Sequence, residues 1–167
     1  MKHQKTLTSL HLPIEGDNKT GIFLGTDQAD AFNGNNGADF LFGGAGSDRL
    51  FGSSGKDQLT GGTGQDFLTG GSGADLFIYN STAEAGDTDH ADVILDFKSH
   101  DDHLDLHSFM GGGHFVGSAA FTADGGSQVS YNAATGILTG DVNGDGKADF
   151  TITMANHVHL VAADFIF

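Results

Sequence analysis

Six aspartates recur at a constant nine-residue interval, and each lies five residues after a glycine. They are Asp30, Asp39, Asp48, Asp57, Asp66 and Asp75, after Gly25, Gly34, Gly43, Gly52, Gly61 and Gly70. Short carboxylates in glycine-rich loops, together with loop carbonyls that have no strand partner, supply the oxygen ligands that Ca²⁺ takes in proteins. One or two copies would be read as ordinary turn formers. Six copies in register predict a repeated calcium site.

The composition agrees with this chemistry. Of 22 acidic residues only Glu15 and Glu84 are glutamates, and the short carboxylate is the one suited to loop ligands. The formal net charge of −15 argues against a nucleic-acid partner. The absence of cysteine excludes disulfides and thiolate metal sites. The 27 glycines against one proline indicate tight turns that recur along the chain.

Short strands must position these loops. Each repeat ends in three residues, enough for a strand whose middle side chain points inward and whose neighbours point outward. The predicted inward row is Phe32, Leu41, Leu50, Leu59, Leu68 and Phe77. Stacking these turns places each loop against the loop two repeats on. The sequence therefore predicts an all-β protein built on a parallel β-roll.

Pairing each loop with the loop two repeats on gives four complete sites. They are Asp30/Asp48, Asp39/Asp57, Asp48/Asp66 and Asp57/Asp75. The first repeat carries Thr26 and Gln28 where glycines are expected, so we expect a weak or altered first site. A degenerate register over 16–24 places Phe23 at the inward position but Gly21 at the ligand position, which predicts a strand without a site.

The G-G-x-G-x-D-x-U-x pattern resembles the RTX nonapeptide repeat, a calcium-binding β-helix repeat. The resemblance implies that loop carbonyls complete each site, from positions 1 and 3 of one loop and positions 2 and 4 of its partner. These carbonyl candidates are Gly34, Asn36, Gly37, Gly43, Gly44, Ala45, Gly46, Gly52, Ser54, Gly55, Gly61, Gly62, Thr63, Gly64, Gly71 and Gly73. We expect about four or more calcium ions.

After Ile78 the glycine period stops, and antiparallel strands are expected at 92–97, 128–132, 137–141, 150–154 and 159–161. The order D-V-I-x-D-F, then D-x-L-D-L, then G-D-G-x-A-D-F resembles the C-terminal domain of serralysin-type metalloproteases. That resemblance implies a β-roll packed on a C-terminal antiparallel layer or sandwich, and secretion through a type I apparatus. The predicted division is an N-terminal arm (1–20), the roll (21–78) and a C-terminal cap (79–167).

The last four residues, Asp164, Phe165, Ile166 and Phe167, resemble the terminal export signal of that family. The alternative is a last β-strand that closes the core, and both descriptions can hold. The first twelve residues are too polar for a cleavable secretory signal, and no segment is long enough to span a membrane. An extracellular location is therefore expected by the type I route.

Two other groups of polar residues could bind metal. Asp141, Asn143, Asp145 and Asp149 match the first half of a D-x-N-x-D-G calcium loop, although Ile152 stands where an EF-hand needs glutamate. A hairpin turn is the alternative. A zinc site at His100, His103 and His107 is disfavoured, because on a strand only His103 and His107 would share a face.

Four apolar residues, Phe40, Phe42, Leu76 and Ile78, are predicted to point outward on one side of the roll. We expect the C-terminal strands or the N-terminal arm (Leu7, Leu10, Leu12 and Ile14) to cover them, with a dimer interface as the alternative.

The chain has no H-E-x-x-H, no G-x-S-x-G and no cysteine nucleophile, which argues against an enzyme. The competing functions are a secretion and folding module of a larger secreted protein, and a free-standing adhesive or carbohydrate-binding module. The Met1 start and the unpatterned arm favour a complete small protein.

Overall fold

The computed structural model describes residues 3–6 and 13–167. Short β-strands dominate this part of the chain, joined by two one-turn α-helices and a 3₁₀ turn. The strands are β1 His3–Thr6, β2 Ile14–Glu15, β3 Gly21–Leu24, β4 Ala31–Asn33, β5 Phe40–Ala45, β6 Arg49–Ser54, β7 Gln58–Thr63, β8 Phe67–Ser72, β9 Leu76–Ile78, β10 Asp92–Ile94, β11 His103–Asp105, β12 His114–Phe115, β13 Gln128–Asn132, β14 Ile137–Asp141, β15 Phe150–Met154 and β16 Phe165–Ile166. The helices are α1 Thr82–Ala85 and α2 His107–Met110, and the 3₁₀ turn is Ala162–Asp164.

Odd-numbered and even-numbered strands of the repeats form two separate parallel ladders. One sheet runs β1-β3-β5-β7-β9-β11-β16, and the other contains β10-β8-β6-β4-β2. Each strand pairs with the strand two further along, so Leu41 lies opposite Leu59 and Leu50 lies opposite Leu68. The predicted inward row is completely buried, at 0–1% exposure from Phe32 to Phe77. The all-β parallel roll is confirmed.

The strands in the middle of the roll are longer than the three residues predicted. The strands β5 to β8 each cover six residues, because the second and third loop positions also pair between β5 and β7 and between β6 and β8. Before them, β3 carries Phe23 at 2% exposure against Phe32, with ring centroids 5.7 Å apart. The degenerate register therefore adds a strand, as predicted.

The parallel roll does not end at Ile78, and the expectation that antiparallel strands begin there is wrong. The strand β10 pairs in parallel with β8, placing Ile94 opposite Leu68. The strand β11 pairs in parallel with β9, placing Leu104 opposite Phe77. Both new inward side chains are fully buried, since the segment that carries α1 loops out and lets the roll continue.

The C-terminal antiparallel strands β13, β14 and β15 occupy the predicted positions. The strand β15 then pairs in parallel with β10, so these strands lengthen the even-numbered sheet. The strand predicted at 159–161 is wrong, because residues 159–161 lie in irregular backbone. The chain instead ends in β16, which pairs in parallel with β11 at the edge of the odd-numbered sheet.

The outward apolar residues are only partly covered. Phe42 is 38% exposed, while Phe40, Leu76 and Ile78 are half-buried. The first of the two predicted covers, the antiparallel C-terminal strands, is wrong for Phe42, because β13, β14 and β15 extend the opposite sheet. In the N-terminal arm, Ile14 pairs with Phe32 at the edge of the even-numbered sheet. Leu7, Leu10 and Leu12 lie outside the described residues.

Candidate metal centre

The repeat aspartates form two ladders of side-chain hydrogen bonds along the roll. In each, the Oδ1 atom of one aspartate accepts the backbone N–H of the aspartate two repeats earlier. The N···O distances are 2.7 Å from Asp30 to Asp48, 2.8 Å from Asp39 to Asp57 and from Asp48 to Asp66, and 2.9 Å from Asp57 to Asp75. The backbone thus fixes the orientation of each accepting carboxylate before any cation arrives.

The second oxygen of these carboxylates has no donor within the described residues. The Oδ2 atoms of Asp39, Asp48, Asp57, Asp66 and Asp75 are buried without a hydrogen-bond partner. Such an oxygen costs folding free energy unless a cation or a proton satisfies it. Burial, followed by repulsion from other aspartates, raises the pKa of Asp48 to about 7 and that of Asp57 to about 6. The array therefore fits a hard cation.

The glycines allow the loops to approach closely. Gly44 and Gly46 adopt φ values of 109° and 111°, in the left-handed region that favours glycine. A Cβ atom on Gly62 or Gly64 would collide with the carbonyl oxygen of the glycine two repeats earlier. At the first position, a Cβ atom on Gly43 would collide with the carboxylate of Asp48. The glycines of the repeat therefore stand where the stacked loops leave no room for a side chain.

The predicted carbonyl candidates line the same stacked loops, and several already accept backbone hydrogen bonds. The carbonyls of Ser54 and Thr63 accept the N–H groups of Gly37 and Gly46, both at 2.9 Å. A carbonyl oxygen has a second lone pair, so such a group still has capacity for another partner. Their role as metal ligands stays a prediction.

The first repeat differs as its sequence suggests. The Oδ2 atom of Asp30 accepts the backbone N–H of Thr26 at 2.7 Å and its hydroxyl at 2.9 Å. Asp30 is half-buried, unlike the repeat aspartates that follow it. One carboxylate oxygen of this repeat is therefore already satisfied by the protein, which supports the expectation of an altered site.

Sequence reasoning missed two aspartates that continue the ladders. The N–H of Asp66 donates to Asp92 at 2.8 Å, and the N–H of Asp75 donates to Asp102 at 3.0 Å. Burial is the main cause that raises the pKa of the Asp92 carboxyl to about 9, and the side chain of Tyr79 acts in the opposite direction. The sequence contains a local signal for both aspartates. Each of them stands two positions before an inward-pointing residue, as Asp48 stands before Leu50.

The side chains of Asp96 and Lys98 bind backbone groups of the last repeat loop, residues 70–75. The carboxylate of Asp96 accepts the N–H groups of Gly70 at 2.9 Å and Gly71 at 2.8 Å. The ammonium of Lys98 donates to the carbonyl of Gly71, and the backbone N–H of Lys98 donates to Oδ2 of Asp102 at 2.8 Å. These groups replace the partners that another loop would supply.

The candidate loop at 141–149 is internally satisfied. Asp141 accepts the N–H groups of Gly144 at 2.7 Å and Gly146 at 2.8 Å. Asp149 accepts the N–H of Val142 at 2.7 Å and the side-chain amide of Asn143. This geometry favours the hairpin-turn interpretation, and calcium binding by Asp141, Asn143, Asp145 and Asp149 stays a prediction.

His100, His103 and His107 do not converge as ligands of one metal ion within the described residues. His103 lies in β11 and His107 begins α2, so the assumption that both lie on one strand is wrong. In the part of the chain that the structure describes, no three His, Cys, Asp or Glu side chains converge as metal ligands. A cation at the loops would therefore depend on backbone carbonyls together with aspartates.

The C-terminal residues are packed into the fold. The carboxylate of Asp164 is buried and accepts the hydroxyl of Ser99 at 2.8 Å, the N–H of His100 at 2.9 Å and the N–H of Val161 at 2.8 Å. Phe165 stacks between two other aromatic rings, those of Phe115 and Phe167, at 4.9 and 5.5 Å. The last strand thus closes the core, as the alternative interpretation predicted.

The family described as Peptidase M10 serralysin C terminal matches residues 38–167. The chain belongs to this family. Serralysin-type C-terminal domains of the RTX kind bind calcium and are associated with type I secretion. The match is to the domain that follows the protease in these proteins, and the predicted relationship is confirmed.

Solved structures with a similar course of the chain include two subunits of the Azotobacter vinelandii mannuronan C5-epimerase, AlgE6R3 and AlgE6R2. AlgE6R3 is 26% identical with a TM-score of 0.46, and the alignment covers 91% of this chain and 80% of that one. AlgE6R2 is 27% identical with a TM-score of 0.42, over 93% and 92% of the two chains. No curated protein matches the chain. Within the described residues, no helix is long and apolar enough to cross a membrane.

Proposed function

We propose that this serralysin C-terminal domain is a module that folds when it binds calcium after type I secretion. The observation that carries the proposal is the row of buried aspartate oxygens that accept no hydrogen bond within the described residues. A folded chain without a cation must either protonate these carboxylates or leave them unsatisfied. Calcium satisfies several at once, so its binding free energy becomes folding free energy.

The aspartate ladders define the proposed sites. The pairs predicted from the repeats are Asp30/Asp48, Asp39/Asp57, Asp48/Asp66 and Asp57/Asp75, with carbonyls of the same loops as further ligands. The continuation of the hydrogen-bond pattern adds the pair Asp66/Asp92, whereas both carboxylate oxygens of Asp102 already accept backbone N–H groups. The proposed calcium-binding unit therefore includes residues beyond the boundary at 78, and the rest of 79–167 is proposed as a cap. The strands β1 and β2 of the predicted arm (1–20) pair with β3 and β4 of the roll.

Repulsion between the aspartate carboxylates explains why folding would occur only after export. At the submicromolar free calcium of a cytosol, stacked carboxylates repel one another and their burial is not compensated, so the chain stays unfolded and can be threaded. Extracellular calcium modules have dissociation constants of about 10⁻⁴–10⁻³ M, which suits a site that fills only outside the cell. The proposed role of the module is to carry and stabilise a secreted chain without catalysing a reaction.

Circular dichroism of the full chain tests this proposal. Adding millimolar CaCl₂ to chelated protein should produce a cooperative gain of β-structure that excess chelator reverses. MgCl₂ at the same concentration is the control, because Mg²⁺ requires a smaller octahedral site and loses its water reluctantly. An identical β-signal in chelator and in calcium would exclude calcium-dependent folding.

The exposed aromatics support a second candidate, an extracellular adhesive or glycan-binding role. Phe42 is 38% exposed and Phe51 is 42% exposed, and the two lie on opposite sheets. Aromatic rings on an open sheet suit sugar rings, and also a second copy of the chain. Calorimetry of the calcium-loaded chain with neutral and acidic polysaccharides tests this role, with Phe42→Ser as the variant that should lose binding.

A further inference from the structure

A nine-residue unit without the repeat glycines, residues 97–105, continues the odd-numbered side of the roll. Asp102 stands at its sixth position and the buried Leu104 at its eighth, as in the repeats. His100, at the fourth position, adopts a φ of 76°, where the later repeats carry glycine with positive φ. This unit therefore supplies the turn that lies against the last repeat loop, residues 70–75.

Lys98 stands at the second position of this unit. Its ammonium donates to the carbonyl of Gly71, which is the second position of the loop at 70–75. The Gly71 carbonyl is one of the predicted calcium ligands, so the lysine binds an oxygen that the repeats would offer to a metal ion. Lys98 is exposed to solvent, and its ammonium therefore reaches the loop from the surface of the roll.

The charge of Lys98 acts on the aspartates of both segments. Burial raises the pKa of the Asp75 and Asp102 carboxyls, and the Lys98 ammonium acts in the opposite direction on each. Around Asp48 and Asp57, by contrast, the neighbouring charges are those of other aspartates. The last loop and the turn 97–102 thus already share a positive charge, which the earlier loops would obtain from a bound ion.

The carboxylate of Asp102 also has less capacity for a metal ion than those of the repeats. Its Oδ1 atom accepts the N–H of Asp75 at 3.0 Å, and its Oδ2 atom accepts the N–H of Lys98 at 2.8 Å. The Oδ2 atoms of Asp39, Asp48, Asp57, Asp66 and Asp75 accept no hydrogen bond within the described residues. The turn 97–102 therefore offers fewer free oxygens to a cation than a repeat loop does.

We infer that the Lys98 ammonium takes the place of a calcium ion between the loop 70–75 and the turn 97–102. This inference rests on the proposed function, because it assumes that the earlier loop pairs bind calcium. A covalently attached cation is present at every calcium concentration, so this end of the odd-numbered ladder requires no ion. Lys98 thereby sets the number of calcium ions that the roll binds and the position at which the row of sites ends.

Equilibrium dialysis of the full chain at saturating CaCl₂ counts the bound ions. Lys98→Met removes the charge and keeps a side chain of similar length, so about one additional calcium ion per chain should bind between the two segments. Lys98→Arg keeps a cation and should bind the wild-type number. The matched control Lys56→Met removes the same charge from an exposed position of the loop 52–57 and should also bind the wild-type number. Equal ion counts for Lys98→Met and wild type would overturn the inference.

Acylation of lysine amines in the calcium-loaded wild-type chain is a test that needs no substitution. Peptide mass spectrometry measures the rate at each lysine. Lys98 should react roughly fivefold more slowly than Lys56, because its hydrogen bond to the Gly71 carbonyl must break first. In chelator, where the proposed function leaves the chain unfolded, the two amines should react at similar rates. If Lys98 reacts as fast as Lys56 in calcium, its ammonium is not held at the loop and the inference is wrong.

The outcomes separate the inference from the proposed function. Calcium-induced β-structure with the same ion count in wild type and Lys98→Met leaves the calcium-folding proposal standing and rejects the role of Lys98. If Lys98→Met does not fold in calcium, the acylation rates of the wild-type chain decide. A chain whose circular dichroism ignores calcium rejects both proposals, because no row of calcium sites remains for Lys98 to end.

Discussion

Acid should strengthen the calcium-free fold of this protein, opposite to the usual acid denaturation. Burial raises the pKa of Asp48 to about 7 and that of Asp57 to about 6, from 3.8. A carboxyl whose pKa is higher in the folded chain binds more protons there than in the unfolded chain. The calcium-free fold therefore loses stability as pH rises from 3.8 to the folded pKa, and regains it on acidification.

The size of the effect follows from these two residues. Between pH 8 and pH 5, the contribution of Asp48 to the free energy of unfolding rises by the equivalent of about two pKa units and that of Asp57 by about one. Together these correspond to about 4 kcal/mol at roughly 1.36 kcal/mol per unit. The pKa values of Asp39, Asp66 and Asp75 are raised for the same reason, so they add in the same direction. A change of this size is a large fraction of the stability of a small domain.

Urea unfolding in chelator, followed by circular dichroism at pH 8 and pH 5, measures the change. In chelator we expect little β-structure at pH 8 and more at pH 5, with a urea midpoint that becomes measurable at pH 5. Half-saturation of the sites on the folded chain should need more calcium at pH 5, because calcium must displace protons. The variant Asp48→Asn removes the ionisable group, so its calcium-free fold should be more stable than wild type at pH 8. A calcium-free fold that weakens on acidification would contradict this prediction.

Three other predictions concern single substitutions, each measured by calcium titration or thermal unfolding of the full chain. Asp57→Asn should raise the calcium midpoint by about tenfold or more relative to Asp30→Asn, because Asp57 serves two sites and a contact with a charged group contributes roughly 1.5–3 kcal/mol; equal effects would contradict the pairing. Asp92→Asn should weaken calcium binding although Asp92 lies outside the repeats, whereas an unchanged titration would remove it from the sites. Gly62→Ala should lower the melting temperature in calcium more than Gly112→Ala does, since both glycines have positive φ but only Gly62 has a carbonyl in the way of a Cβ atom; equal losses would show that close loop approach does not matter.

The repeating part of the fold could be predicted because its information is local. The glycine at position 1, the aspartate at position 6 and the apolar residue at position 8 recur every nine residues, so one register explains strand, loop and candidate ligand together. The inward row from Phe32 to Phe77 follows directly, and the structure buries all of it. Steric and packing requirements repeat with the sequence, and each turn of the roll stacks on an equivalent turn.

The continuation of the roll was decided by tertiary structure. Asp92 and Asp102 follow their ladder partners Asp66 and Asp75 by 26 and 27 residues, whereas ladder partners within the repeats are 18 apart. A periodic pattern cannot show that an inserted segment loops out and returns the chain to the same ladder. The two-residue spacing from Asp92 to Ile94 can be read from the sequence, but the parallel pairing of β10 with β8 cannot.

The placement of the C-terminal strands has the same origin. The antiparallel run β13 to β15 is encoded by alternation and turns, and its positions were predicted. The pairing of β15 with β10 depends on contacts between strands that are far apart in the chain. The calcium-type repeat and its core can be predicted from the amino-acid sequence because their pattern is periodic. The end of the aspartate ladders and the enclosure of Asp164 beside them depend on contacts between residues far apart in the chain, which a periodic pattern does not encode.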